Sequence, residues 1–260
     1  MKLLSPASAN TQTRKSAMKA QEYRIVALAL SPATSDGQGK SNCPNSSIGC
    51  EDICVGSENV GLASIFKSIA ISRQNKSLWL KRDPVGFYRQ LCDELETEQR
   101  LADRDGTTLV IRPNTFTDLN WFKIFRDFPR SIGYDYSKVY NRVNDATRPE
   151  NYTIVPSWTE RPKDQRDCLN LLAQGFNCAV CFAEIGPFAG NRALSQKMPK
   201  TWSLNGMNVK VLDGDDSDLR FLDERAKPGQ PGFAVGLRLK SANNVARQKA
   251  IDSGFCQIVK

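Results

Sequence analysis

Short apolar runs, rich in β-branched residues, alternate along this chain with stretches in which apolar side chains recur every third or fourth position. The runs predict strands at Ile25 to Leu30, Thr107 to Ile111, Ser131 to Asp135, Tyr152 to Val155, Asn177 to Ala183, Val209 to Leu212 and Ala234 to Leu239. Between them, helical spacing covers Gly61 to Ile71 and Leu119 to Phe128, the second capped by Thr117 or Asp118. Another helix opens at Asp83-Pro84 and runs to about Leu101, with Asp as cap and Pro in the first turn, and Arg166 to Gln174 stops at Gly175. Strand and helix in repeated alternation imply parallel connections. The expected architecture is therefore α/β, a complete or partial parallel β/α (TIM-like) barrel with a cysteine-bearing N-terminal loop, and an open doubly wound sheet is the alternative. Ile185 to Met207, with its Pro and Gly residues, reads as a long loop or lid.

Length agrees with this expectation, since 260 residues suit one β/α barrel of ~250. The organisation expected is a basic flexible arm over residues 1–24 followed by a single barrel-like domain over 25–260. No apolar run approaches the ~20 residues that span a bilayer, so no membrane partner is expected. Ile25 to Leu30 is too short, and begins too far in, for the ~7–15-residue apolar core of a secretory signal. Eight cysteines without such a signal suggest a reducing compartment, the cytoplasm, which is the host cytoplasm if the chain is phage-encoded. The formal charge of +8 divides unevenly: Lys2, Arg14, Lys15, Lys19 and Arg24 stand against Glu22 within the first 24 residues. Half of the excess lies in the arm, which permits weak contact with nucleic-acid phosphates. Histidine is absent altogether, and its absence removes His-based acid/base catalysis, Ser-His-Asp and Cys-His nucleophiles, and the common zinc-hydrolase ligand sets.

In parallel β/α folds the active site lies at the C-terminal ends of the strands. Here those ends carry Arg112 and Asn114, then Asp135, Tyr136 and Lys138, then Ser157, Glu184, Asp213, Asp215 and Lys240. Asp135, Lys138, Glu184, Asp213 and Asp215 are the candidates for proton transfer. Arg112, Asn114, Tyr136, Ser157 and Lys240 are the candidates for holding substrate. Polar strand-to-loop junctions are ordinary, so the collection counts for more than any member. Tyr134, Trp158 and Phe182 could stack on a base, although packing against helices is their commoner use. The acidic run Asp213 to Asp218 imitates a calcium loop but lacks the turn glycine at its sixth position, and a strand precedes it.

Cys43, Cys50 and Cys54 lie within twelve residues of a Ser-, Pro-, Gly- and Asn-rich loop. Three thiolates suit an iron-sulfur centre, or zinc as the alternative, and leave one coordination position open. The competing reading is three unpaired thiols, one buried at a helix start. Cys178 and Cys181, three apart in a strand, should face opposite sides, and Cys92, Cys168 and Cys256 read as small buried hydrophobes.

The Cys43-Pro, Gly49-Cys50 and Cys54-Val-Gly56 signature, followed by Arg112-Pro-Asn114, Asp118, Tyr134 to Lys138 and Asn151-Tyr152, resembles an uncharacterised phage and prophage protein family. That family in turn distantly resembles radical-SAM-like barrels, in which three cysteines hold a cluster with one iron open to S-adenosylmethionine. The cysteine spacing departs from theirs, and no Gly-Gly-Glu-Pro-like stretch is present, so the resemblance carries only Cys43, Cys50 and Cys54 as ligands. It implies a phage-type iron-sulfur protein acting on a small or nucleotide-like substrate. The rival expectation is a non-enzymatic module binding nucleic acid or a host protein, with the cysteines as a structural site.

Overall fold

The computed structural model describes residues 1–9, 11–57, 66–188, 190–241 and 243–259. Its strands form two mostly parallel sheets, one of them curled into a half-barrel. The first sheet contains β1 (Leu4–Pro6), β2 (Tyr23–Leu28), β3 (Thr108–Arg112), β4 (Ile132–Ser137) and β5 (Tyr152–Pro156) in that spatial order. β2 to β5 run parallel, with Tyr23 opposite Thr108 and Gly133 opposite Tyr152, while β1 caps the edge antiparallel to β2. The second sheet contains β6 (Cys178–Ala183), β7 (Thr201–Leu204), β8 (Met207–Asp213), β9 (Ala234–Arg238) and β10 (Gln257–Ile258), ordered β10-β6-β9-β8-β7. A single parallel bridge, Ser157 to Ala179, links the sheets.

All seven expected strands are present within two or three residues at either end. Among the described residues they form two sheets and do not close into one barrel. Sequential order is lost where β9, not the next strand in the chain, pairs with β6, and antiparallel β1 and β7 stand at two outer edges. The stretch expected to be a lid holds the β7–β8 hairpin. Its two-residue turn is Asn205-Gly206, both with positive φ (49° and 80°), the backbone that a tight right-twisted hairpin demands and that Asn and Gly supply at least cost.

Helices α1 (Thr11–Lys19), α2 (Ile48–Asp52), α3 (Lys67–Arg82), α4 (Pro84–Asp105), α5 (Phe122–Asp127), α6 (Pro162–Ala173) and α7 (Asn244–Asp252) complete the fold. The α4 start follows the sequence signal: the Asp83 carboxylate accepts from the Gly86 amide at 2.8 Å, and left-handed Gly106 ends the helix. The helix expected over Gly61 to Ile71 falls partly outside the described residues; α3 begins at Lys67. Neither Thr117 nor Asp118 caps α5, which starts after Trp121 because both side chains are engaged elsewhere.

Both faces of the first sheet are covered. Val26, Leu109, Ile111 and Ile154 join Phe87, Leu91 and Leu95 of α4 and Phe122 and Phe125 of α5 in the main core. On the other face Ile25, Val110 and Tyr134 pack with Ala17 and Ala20 beside α1 and with Leu219 and Phe221. Burial on both sides explains why these strands read as continuous apolar runs instead of alternating ones. Gly133 sits where a Cβ would lie 2.1 Å from the Phe125 ring, which stacks on Tyr152 at 4.1 Å.

Part of the segment 1–24 is held by distant elements of the fold. Leu3 and Leu4 are buried, and the Glu94 carboxylate accepts both their amides at 2.8 Å, while buried Lys76 donates to the Leu3 carbonyl at 2.8 Å. Short β1 lacks a periodic signal, and its anchoring comes from α3 and α4, far along the chain.

Candidate functional site

The C-terminal ends of β3 and β4 carry Arg112, Asn114, Asp135, Tyr136 and Lys138, half of the expected strand-end residues. Asp135, 1% exposed, accepts from the Asn114 amide at 3.1 Å, from Asn114 Nδ2 at 2.8 Å and from the Tyr152 hydroxyl. Burial outweighs these donors and the nearby Arg112 charge and pushes the Asp135 carboxyl up to about 7. Asn114 is itself saturated, its Oδ1 accepting from Thr117, the Leu119 amide and Trp121. The crevice lined by Asn114, Asp118, Asp135, Arg142 and Tyr152 is too tight to admit a water molecule. Asp135 therefore organises the strand ends from behind and does not face an open substrate cavity.

Arg112 and Tyr136 point to a second buried group. Arg112 pairs with Asp218, whose carboxylate also accepts from the Tyr134 and Tyr136 hydroxyls at 3.1 and 3.2 Å. Burial alone would lower the Arg112 pKa, but Asp218, Tyr134 and Tyr136 overcome it and the group stays charged. Arg220, 3% exposed, lies 3.3 Å from Asp223, whose carboxyl burial pushes up to about 6 against the pull of Arg220. The Asp218 amide donates to Ser16 of α1 at 2.8 Å. Asp218, read from sequence as part of a calcium-like run, is thus the counter-ion of Arg112.

Lys138, just beyond β4, meets the cysteines. Its amide donates to Asp118 at 2.8 Å, and its carbonyl accepts from Asn45 at 3.0 Å. Asp118 also accepts from Ser137 at 2.8 Å and Arg142 at 3.1 Å, and its own amide donates to the Asn42 carbonyl at 2.9 Å. This fastens the cysteine loop to the strand end. Burial would lower the Lys138 pKa, but Cys50, Asp118 and Cys43 outweigh burial and raise it.

Each of the three thiols has a defined setting. Cys43 Sγ accepts from the Ala33 amide at 3.4 Å and donates to the Phe116 carbonyl at 3.5 Å. Burial, reinforced by Cys54 and Cys50 and opposed by the Ala33 amide, pushes the Cys43 thiol up to about 12. The Cys50 amide is held by the Ser47 cap of α2, and Glu160 accepts from Ser47 at 2.7 Å and from the Gly49 amide at 2.9 Å. Burial raises the Cys54 pKa and Cys50 adds to that, while the neighbouring Gly56 amide, Lys138 and the Ser57 amide act against it. Arg73 feels the Cys54 charge and stacks 4.1 Å from the Phe116 ring centre. Cys43 and Cys54 are thus both raised by burial and by neighbouring sulfur, with the cations Lys138 and Arg73 close by. Among the described residues, however, no group of three or more Cys, Asp or Glu closes on a point that could hold a metal ion. The sulfurs are neighbours around Lys138, not a finished cage.

The other expected residues gather elsewhere. Arg238 binds Asp213 through both terminal nitrogens at 2.7 and 2.8 Å and reaches Asp215 at 3.2 Å, while Lys240 donates to Asp215 at 2.6 Å. These carboxylates are neutralised within a clip joining β8 to β9. Glu184 accepts the Lys197 amide at 2.9 Å. Ser157 offers backbone alone, its amide donating to the Ser137 carbonyl at 2.9 Å and its carbonyl accepting from Tyr140 at 2.8 Å. Of the basic residues in 1–24, Lys19 pairs with Asp216, and Arg24 pairs with Glu98 at 2.7 Å and Asp105 at 3.6 Å. Sequence reasoning missed Asp118, Asp218, Arg73 and Tyr152 as parts of these groups. Polarity near strand ends was the signal available for Asp118 and Asp218, whereas Arg73 lies within α3 and Tyr152 opens β5.

No described helix is long and apolar enough to cross a membrane. The family model described as gene product 88 matches residues 2–258. No curated protein and no solved structure matches the chain.

Proposed function

We propose that this chain, which belongs to the phage gene product 88 family, is a thiolate metal protein of the host cytoplasm. Its centre is assigned to Cys43, Cys50 and Cys54, with an iron-sulfur cluster as the occupant and zinc as the alternative. The observation that carries the reading is the fastening of the cysteine loop to the C-terminal end of β4, through Asn45 to the Lys138 carbonyl and through Asp118 to Asn42 and Lys138, where parallel β/α folds place their chemistry. Thiolate is the donor that soft metals prefer, and amides donated to a ligand sulfur, as from Ala33 to Cys43, are among the features that tune such centres. The donor chemistry fits, while the spacing does not yet form a cage. Loading would draw the Gly- and Pro-bearing loop inward.

In this reading the bound group supplies redox or Lewis-acid chemistry. The chain's own residues position it: Lys138 and Arg73 offset thiolate charge, and Asp118 ties the loop to β4. A small or nucleotide-like substrate would approach beside Lys138. Asp135 and Arg112 hold the strand ends behind it, and Asp213, Asp215 and Lys240 act as a clip.

The test is anaerobic isolation followed by the absorbance spectrum and by iron, zinc and sulfide content, repeated for Cys43→Ala and Cys54→Ser. Stoichiometric metal that is lost in both variants supports the reading, with sulfide distinguishing a cluster from zinc. A folded, colourless, metal-free protein overturns it and moves the assignment to a binding module.

A further inference from the structure

A different pair of thiols carries an inference that does not depend on the metal reading. Cys181 lies in β6, and Cys256 immediately precedes β10. The parallel register Gln257 to Phe182 and Ile258 to Ala183 places the two cysteines side by side on neighbouring strands. Their sulfurs are 3.1 Å apart, the Cys256 thiol donating to Cys181. Adjacent strands stand ~4.8 Å apart, which falls inside the window of ~4.4–6.8 Å that a disulfide requires between Cα atoms. Register and sulfur separation thus place the pair within reach of a disulfide.

The members of the pair differ as the partners in thiol exchange must. Cys181 is partly exposed, whereas Cys256 is 3% exposed. One is open to attack a solvent-borne disulfide; the other is sheltered and can react only with its neighbour. Beside them lies Arg247, 2% exposed, whose side chain donates to the backbone carbonyls of Glu184 and Gly186. Its Nη1 has no hydrogen-bond partner among the described residues, and its charge acts on both sulfurs. The hydrogen bond with Cys181 and burial push the Cys256 thiol up, and the Arg247 charge acts against that push. The other close pair, Cys168 and Cys178, is wholly buried in the main core and has no such access.

We infer that Cys181 and Cys256 form a redox-active dithiol that exchanges with small-molecule disulfides of the glutathione class. Cys181 loses its proton to solvent and attacks one sulfur of the small disulfide; that S–S bond breaks and one small thiolate leaves, giving a mixed disulfide on Cys181. Cys256 then loses its proton and attacks the Cys181 sulfur, the second small thiolate leaves, and the Cys181–Cys256 bond forms. Two protein thiols are oxidised and one disulfide is reduced to two thiols, the released protons matching the thiolates. The product staples β10 to β6.

The experiment incubates the full-length reduced protein with oxidised glutathione, then counts thiols after denaturation and maps the cross-linked peptides. The expected result is loss of two of the eight thiols, a Cys181–Cys256 linkage, and full reversal by a dithiol reductant. Cys256→Ser should instead retain one glutathione on Cys181, and Cys181→Ser should leave Cys256 unmodified while folded. Eight surviving thiols in the wild type, a linkage between other cysteines, or a Cys256→Ser protein that takes up no glutathione would overturn the inference. Cys43→Ala, which disables the proposed metal centre, should leave the couple intact, so the two readings fail separately.

Discussion

Replacing Asp135 by asparagine should flatten the pH dependence of stability. In the folded chain burial holds the Asp135 carboxyl at about 7 against an ordinary value of 3.8. A raised acid means that the folded state binds the proton more tightly than the unfolded chain does. The stabilisation it brings is complete below the unfolded value and is lost as pH rises through the folded one. A shift of roughly three units corresponds to about 4 kcal/mol in all, of which about 3 kcal/mol falls between about pH 5 and about pH 8. The side chain is 1% exposed, so solvent screening removes little of this. Asparagine keeps the shape but turns an NH2 toward Asn114 Nδ2, so the variant should be weaker at pH 5 by about 1–2 kcal/mol. Urea unfolding followed by tryptophan fluorescence at both pH values measures the difference. Wild type should lose about 3 kcal/mol more than Asp135→Asn between them. Parallel profiles, or a wild type that gains stability relative to the variant as pH rises, would refute the argument that burial dominates at this carboxyl.

Two further perturbations probe the packing around the site. Asp218→Ala leaves Arg112 buried without its counter-ion and strands two tyrosine hydroxyls, so chemical denaturation should register a loss of about 3–5 kcal/mol; a change below 1 kcal/mol would show that the guanidinium finds water. Glu94→Ala removes the acceptor of the Leu3 and Leu4 amides beside Lys76, at a cost of about 2–3 kcal/mol. Hydrogen exchange at those amides should quicken, and unchanged protection would mean that β1 is held by its strand pairing alone.

The strands were legible because the parallel ones are buried on both faces, which compels uninterrupted apolar runs such as Leu109-Val-Ile111 and Ala179-Val180. The Asp83-Pro84 start of α4 was legible because capping chemistry is local. Spatial order was not: nothing in residues 178–238 states that β9 will sit between β6 and β8, because that choice is made by packing among distant elements. The β7–β8 hairpin had a local signal in Asn205-Gly206 that the surrounding Pro- and Gly-rich stretch obscured. β1 and α1 were hidden for a different reason, since α1 is strongly polar and its seat depends on Asp218, two hundred residues away.

At the site, sequence reasoning listed the strand-end residues but could not assign their partners. Arg112 read as a substrate ligand and Asp135 as a proton-transfer group because a charged strand end looks the same whether it faces solvent or a buried partner. The divergence of Cys178 and Cys181 followed from strand geometry and holds, the first lying in the main core and the second against Cys256. Cys256 itself read only as a small hydrophobe, because its partner lies 75 residues earlier in the chain.

The proposed ligation of one metal centre by Cys43, Cys50 and Cys54 is read at the ligands themselves by X-ray absorption at the metal edge of anaerobically isolated protein. The expected spectrum shows a shell of about three sulfur neighbours at about 2.3 Å, reduced in Cys54→Ser. A shell of oxygen and nitrogen alone, or a sulfur shell unchanged in that variant, would rule the ligation out.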